Sequence, residues 1–455
     1  MIAPERRALA GWGSASPTVA TVGHPADADA VADAFAHAGP RGAIARGLGR
    51  SYGDPALNAG GLVLETDALV GEIVVDPERQ VATAPAGTSL DALIRQLVPL
   101  GFFVPITPGT RQVTVGGAIA SDVHGKDHHR SGSWGSSLER ITLVTPALGT
   151  VEVGPDRMPD LFWATVGGMG LTGVIVDATF RVKPIGSSLL AVDTDRTPDL
   201  DTTLELMEVG DHAYDYSVAW IDLTATGAAT GRSVLDRGSF ASLDQLPARH
   251  RDHPLEFRST TMATFPSIGP LNLITPVTVR AFNEAWYRKA PRRRRDHLQT
   301  ISQFFHPLDA VDRWNRVYGH RGVIQWQCAV PLDATGVLRR MVGEIATVGC
   351  PSFLSVLKRF GPANPAPLSF PIEGWTLSMD LAARLRPEQA ALLDRLDEQV
   401  AACGGRIYLA KDARMRPELL PVMYPRLDEW RAVRALADPE GRLSSDQARR
   451  LHLKG

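Results

Sequence analysis

Cysteine is scarce in this chain. It occurs three times in 455 residues, at Cys328, Cys350 and Cys403. That spacing excludes paired metal ligands and a disulfide framework, and the odd count fits a reducing compartment. Net charge is nearly absent as well: 48 basic and 50 acidic side chains leave -2. A global basic field of the kind that binds nucleic acid is thereby excluded. No uninterrupted apolar run is long enough to span a bilayer. The opening residues Met1–Ala10 lack the apolar core of a secretory signal. These absences predict a soluble protein, cytoplasmic or peripheral to a membrane at most. What is present is ordinary globular material, 44% hydrophobic and 22% charged, enough to bury a sizeable core in about two or three domains.

The first part of the chain alternates helical and strand signals. An alanine-rich helix is predicted over Ala26–Ala38, stopping at Gly39-Pro40. Strands are predicted at Ile44, Leu62–Thr66, Gln80–Ala84, Ile141–Thr145, Thr150–Val153 and Val174–Val182, with a helix capped by Ser89 running to Leu97. Short strands, helices and many glycine turns predict an α+β domain. The texture changes near Lys183–Gly186. Beyond it, strands at Leu189–Asp193, Tyr216–Asp222, Val323–Val330, Ser352–Phe360 and Trp375–Leu381 alternate with helices at Asp199–Val209, Val277–Tyr287, Leu308–Tyr318 and Pro387–Cys403. This predicts one antiparallel sheet with helices on one face. Leu246–Pro276, rich in proline and polar residues, reads as a long surface loop. The tail from Arg406 returns to dense motif sequence, as if it folds back on the first domain. The predicted division is therefore 1–187, 188–405 and 406–455.

Glycine is plentiful, and three glycine-rich segments carry the chemistry. The first is Ala45–Asp54 (ARGLGRSYGD), where Arg50 and Ser51 can donate to phosphate. It is neither a Rossmann fingerprint nor a P-loop, and alone it reads as an ordinary turn. The second, Pro108–His129, joins Gly116-Gly117 to the polar cluster His124, Lys126, Asp127, His128 and His129. Glycine lets backbone N–H groups approach an anion, and imidazole moves protons near neutral pH. The third is Val166–Gly173 (VGGMGLTG). Three such segments suggest a long ligand lying along the backbone.

In that order, Arg46–Gly53 (RGLGRSYG), Pro108–Ala118 (PGTRQVTVGGA) and Phe162–Gly173 (FWATVGGMGLTG) resemble the FAD-binding domain of the vanillyl-alcohol-oxidase (PCMH-type) flavoproteins. Many members attach FAD to a histidine in the first loop. Arg50 stands at that position here, so the resemblance implies non-covalent FAD. Further stretches are similar to the decaprenylphosphoryl-ribose-oxidising branch of that family: Arg41–Asp54, His124–His129, Ala366–Trp375 (APLSFPIEGW), Gly404–Asp412 (GGRIYLAKD) and Ser445–Leu451 (SDQARRL). They span nearly the whole chain. The resemblance implies a two-domain α+β fold: a PCMH-type FAD domain completed by the C-terminal segment, and a substrate domain with an antiparallel sheet flanked by helices. It implies oxidation of the C2 hydroxyl of decaprenylphosphoryl-β-D-ribofuranose to the 2-keto intermediate. A separate NAD(P)H-dependent short-chain reductase then completes epimerisation to the arabinofuranose donor for cell-wall arabinan.

Residue by residue, the resemblance assigns FAD contacts to Arg46, Gly47, Leu48, Gly49, Arg50, Ser51, Tyr52, Gly109, Thr110, Val113, Thr114, Gly116, Gly117, Ala118, Ser121, Asp122, His124, Gly125, Gly170, Gly173, Val174, Ile175, Tyr408 and Lys411. Gly116-Gly117 would take the pyrophosphate side. Alcohol oxidation needs a hydride acceptor and a base for the hydroxyl proton. His124 is the base or orienting candidate, with Tyr52 a polar neighbour; taken alone, His124 reads equally well as a structural histidine. His128 and His129 read as supporting structure. A lone lysine is usually a solvated surface group, but the apolar lead-in Ile407–Ala410 draws Lys411 inward, where its cation would stabilise an anionic reduced flavin. Gln325 and Gln327 share one strand face. The resemblance sets them with Trp220 and Lys358 on the substrate side; a polar face open to water is the alternative for Gln325. Lys358 could meet a phosphate.

Three positions depart from the branch. Ser378 replaces a cysteine that reacts with covalent nitroaromatic inhibitors, Thr376 replaces a usual asparagine nearby, and Val218 replaces a serine. Thr376 and Ser378 remain substrate-side candidates. The run Arg288–Asp296 (RKAPRRRRD) is strongly basic. It reads as a solvated loop, or as a patch drawn to anionic lipid or polyprenyl phosphate, with Trp286 and Tyr287 beside it. Two rival functions stay open: a related FAD-dependent sugar or alditol oxidase acting on a different carbohydrate, and a flavin-binding or membrane-associated scaffold without catalysis.

Overall fold

The computed structural model describes residues 5–259, 261–266 and 274–454. The N-terminal part builds two sheets. In the first, Glu5–Leu9, Thr18–Gly23, Leu62–Glu65 and Ala43–Arg46 lie side by side in that order. The helix Ala28–Ala36 starts where the Asp27 carboxylate accepts the Ala30 N–H at 2.8 Å. The second sheet is antiparallel, in the order Val74–Asp76, Val81–Pro85, Val174–Arg181, Leu138–Thr145, Gly149–Val153. Ser89 caps the helix Leu90–Leu97, which buries Leu90, Leu93, Ile94 and Leu97, the spacing of one helical face.

The following part is dominated by an eight-stranded antiparallel sheet. Its order is Arg293–Thr300, Leu189–Thr197, Ser233–Phe240, Tyr216–Ile221, Ser355–Phe360, Gly374–Ala382, Val323–Pro331, Arg406–Ile407. Strand alternation gives this sheet two chemistries. On one face, Trp326, Cys328, Leu377 and Met379 join Leu338, Met341 and Ile345 of the helix Thr335–Val348 and Leu392, Leu396 and Val400 of the helix Pro387–Ala402 in one core. On the other face, register aligns Gln325 with Asp380, Gln327 with Ser378, Ser378 with Val356, and Thr376 with Lys358. The polar positions thus converge across three neighbouring strands.

The tail returns to the first sheet. Leu443 bridges Ala43, the Ala59 N–H donates to Asp446 at 2.9 Å, and Arg450 pairs with Asp54 and Asp412, each at 2.8 Å. The loops meet so closely that a Cβ on Gly53 would lie 1.9 Å from the Asp412 carbonyl oxygen.

Three expectations are corrected. Leu308–Tyr318 is not one helix but two 3-10 segments, Pro307–Ala310 and Trp314–Arg321, around the short strand Val311–Asp312. Asp309 is held there by the Thr110 hydroxyl and the Arg111 N–H, both at 2.8 Å, and Arg313 has φ 53°, which a helix cannot absorb. The basic run is no loop: Arg288 and Lys289 end the helix Pro276–Lys289, and Arg293–Asp296 open the edge strand of the large sheet. Charge on an edge discourages pairing with another chain. Within Leu246–Pro276, Ala248–Arg251 is helical and Ala263–Thr264 pairs with Val311–Asp312; residues 260 and 267–273 lie outside the described residues.

Candidate functional site

The glycine loops and the polar face of the large sheet enclose one cavity of about 1050 Å³. Most of the residues named from sequence line it, including Gly47–Tyr52, Gly109, Thr110, His124, Gly125, Gln325, Gln327, Lys358, Ser378, Tyr408 and Lys411.

The first loop forms one wall. Residues 47–51 make no backbone N–H hydrogen bond among the described residues, and all five line the cavity. A Cβ on Gly47 would lie 2.3 Å from the Thr114 hydroxyl, and Gly49 has φ 62°. Glycine is therefore required at both points. The Arg50 guanidinium lies 4.0 Å over the Trp12 ring, its buried Nε without a partner. Free amides and an orphaned cationic donor fit a bound anion such as a dinucleotide pyrophosphate. At the second loop Gly116 and Gly117 also line the cavity, and their amides already have partners within the chain. The Gly116 N–H donates to Ala86 O at 2.9 Å, and that of Gly117 to the Thr114 hydroxyl at 3.1 Å. These glycines shape the wall but have no amide to offer.

Five further assigned residues do not line the cavity. Arg46 turns away to the carbonyls of Ala10 and Ala56 and to Glu65. Ala118 and Val174 are wholly buried in hydrophobic cores. Asp122 accepts from Ser133, Gly135 N, Asn364 and Ser369 at 2.9, 2.9, 2.7 and 2.5 Å, so it ties the histidine loop to the segment 364–369. Thr376 lies beneath Gln327, whose amide is 3.1 Å from its hydroxyl.

On the opposite wall His124 is buried between Phe360, Phe370 and Tyr408, at 4.8, 5.7 and 5.5 Å between ring centres. Its Nε2 is 2.9 Å from the Gln327 amide, and its Nδ1 is 3.1 Å from the Lys358 ammonium. Burial, then the Lys358 charge, hold the imidazole well below its ordinary pKa, so it stays neutral. Lys358 is itself pushed down to about 7 by burial and by the Lys126 charge. A neutral imidazole beside a lysine titrating near neutrality is a proton acceptor with a tunable neighbour.

Sequence reasoning missed a second group. Asp380, fully buried, accepts from the Tyr52 hydroxyl at 3.3 Å and from the Gln325 amide. Lys411 lies 4.3 Å over the Tyr52 ring. Burial raises the Asp380 carboxyl and lowers the Lys411 ammonium, while their mutual attraction opposes both shifts. The signal was available: Thr376, Ser378 and Asp380 alternate along one strand as a polar face. Lys126 was noted but not placed. It lines the cavity, donates to the Phe304 carbonyl and sits 4.3 Å over that ring. Of the remaining histidines, His128 accepts the Gly361 N–H at 3.1 Å and His129 contacts Tyr214 O at 3.1 Å, both structural uses. Val218 and Trp220 line the cavity, and the Trp220 indole donates to Phe353 O at 3.0 Å.

Comparison with known proteins identifies the chain's relatives. The FAD binding domain family matches residues 19–154, which include the first two glycine segments and the histidine loop. A decaprenylphosphoryl-beta-D-ribose oxidase of Mycolicibacterium smegmatis is 44% identical over 98% of this chain and 97% of its own length. An uncharacterized protein of Streptomyces coelicolor is 43% identical over 80% of this chain and its full length. An alditol oxidase of a Streptomyces species is 27% identical over 39% of this chain and 42% of its own. No helix among the described residues is long and apolar enough to cross a membrane. The chain belongs to the decaprenylphosphoryl-β-D-ribose oxidase family of FAD-binding flavoproteins.

Proposed function

We propose that the chain is an FAD-dependent oxidoreductase that oxidises the C2 hydroxyl of decaprenylphosphoryl-β-D-ribofuranose to the 2-keto intermediate. FAD is held non-covalently, since arginine and not histidine occupies position 50. The observation that carries the reading is the neutral His124, 3.1 Å from Lys358, in the same cavity as the unpaired amides of residues 47–51. FAD, when bound, supplies the acceptor for the C2 hydride. Gly47–Ser51 and Gly109–Thr110 hold its anionic part. His124 takes the hydroxyl proton at one ring nitrogen while Lys358 fixes the ring's orientation. Lys411, kept charged by Asp380, offsets negative charge gained by the cofactor. Gln325, Gln327 and Trp220 bind the sugar beside Ser378. Residues 1–187 and 406–455 form the cofactor domain, and 188–405 the substrate domain. The ketone then needs reduction from the other face, work for a separate NAD(P)H-dependent short-chain reductase. A lipid-linked substrate suits a peripheral position at the inner membrane.

The reading is tested by anaerobic mixing of the yellow holoenzyme with the lipid phosphoribose, which should bleach the flavin. A second reading, a related oxidase of another sugar or alditol, is favoured by the departures at Val218 and Ser378, which line the cavity, and at Thr376, which supports Gln327, and is separated by substrate choice.

A pH dependence follows from Lys358. Its ammonium exists below about 7 and is lost above, so kcat/KM should fall as pH rises through neutrality. His124 remains neutral throughout that range. Lys358→Met should lower kcat/KM and flatten that limb; a limb that persists in the variant would assign it to another group.

A further inference from the structure

The helix Pro276–Lys289 is held by a narrow strip. Val279 and Asn283, one turn apart, are its buried residues, and the Asn283 amide donates to Asp222 at 2.8 Å and to Ser352 O at 3.2 Å. Elsewhere the helix leaves large rings in water. Phe282 and Trp286 are each 44% exposed. Single exposed apolar residues need no explanation. These two stack on each other at 6.0 Å and 14°, and both line the mouth of the cavity. The aromatic tract continues inward. Phe282 meets Phe353 edge-on at 5.7 Å, Phe353 stacks on Tyr318 at 5.9 Å, and the Phe353 carbonyl accepts the Trp220 indole N–H. At the outer end the Lys289 ammonium is 5.7 Å from the Trp286 ring. An apolar track thus runs from solvent to the substrate wall. A sugar gains little from such a track, whereas an isoprenoid chain leaves water along its whole length.

We propose that this tract is the subsite for the isoprenoid tail of the lipid-linked substrate, with Phe282 and Trp286 as its outer half. The proposal rests on the lipid-phosphosugar reading above. Neither residue touches the catalytic groups, so their loss should act on tail binding alone. The test compares FAD-loaded wild-type protein with Phe282→Ser/Trp286→Ser, using phosphoribose lipids with a decaprenyl or a geranyl tail in the same detergent. The KM for the decaprenyl lipid should rise about tenfold, as expected for losing roughly one buried aromatic contact. The geranyl KM and both kcat values should stay the same. An unchanged decaprenyl KM overturns the proposal. A second measurement needs no sugar oxidation: decaprenyl phosphate is titrated against tryptophan fluorescence of wild type and of Phe282→Ser. Saturable quenching, weakened about threefold in the variant, supports the subsite. Such binding without flavin reduction by either lipid sugar would sink the substrate reading and leave the tail subsite standing. If the double variant loses only co-sedimentation with phosphatidylglycerol vesicles, with KM and quenching intact, the helix is a membrane contact and the tail subsite is refuted.

Discussion

Lys411→Ala is expected to slow anaerobic flavin reduction about a thousandfold, the range seen when a positioned charge or proton-transfer group is removed. The side chain is half-buried in the cavity wall, 4.3 Å over the Tyr52 ring. Its charge costs free energy to bury, and the Asp380 carboxylate behind Tyr52 offsets part of that cost. Removing the ammonium leaves Asp380 buried without its cation, so that carboxyl should take up a proton, and the field in the cavity changes twice over. Folding should hardly suffer, because Tyr52 and Gln325 still donate to Asp380. The measurement is stopped-flow flavin absorbance with the thermal midpoint as control. A reduction rate within about threefold of wild type would remove Lys411 from the catalytic account.

Asp122→Ala should act in the opposite way, on stability more than on chemistry. Four donors converge on this fully buried carboxylate, from Ser133, Gly135, Asn364 and Ser369. Alanine would leave all four unsatisfied, at a cost of about 3–5 kcal/mol. The thermal midpoint should drop by roughly 4 °C. Asp122 also has φ 40°, a strained conformation for alanine. The surviving folded protein should bind FAD and turn over nearly as wild type does. An unchanged midpoint with lost flavin would restore Asp122 as a direct cofactor contact.

The contrast between these two residues shows what the sequence could and could not reveal. Glycines at 47 and 49 were legible because a close approach and a positive φ leave a composition trace. At Gly116 and Gly117 the same trace marks cavity-lining glycines, but sequence does not say that their amides are taken by Ala86 O and the Thr114 hydroxyl. Asp122 sits inside the histidine loop and looked like a ligand contact; only the fold reveals that it faces Asn364 and Ser369. Asp380 was passed over because its partners, Tyr52 and Lys411, are far away in sequence and near only through the sheet and the returning tail. Strand periodicity was reliable where alternation was strict, as in Gln325 and Gln327, which both face the cavity. Helical periodicity failed at Leu308–Tyr318, whose apolar spacing imitates a helix while the bonds to Asp309 and the backbone of Arg313 break it.

The central claim is that one cavity binds FAD and a lipid phosphoribose so that the sugar's C2 hydroxyl is oxidised. Anaerobic flavin absorbance, followed across a panel of lipid phosphosugars and free alditols, tests it most directly. Full bleaching by decaprenylphosphoryl-β-D-ribofuranose is expected in a single turnover, with no bleaching by the 2-deoxy analogue or by alditols. A flavin that stays oxidised with the ribose lipid but bleaches with an alditol would contradict it.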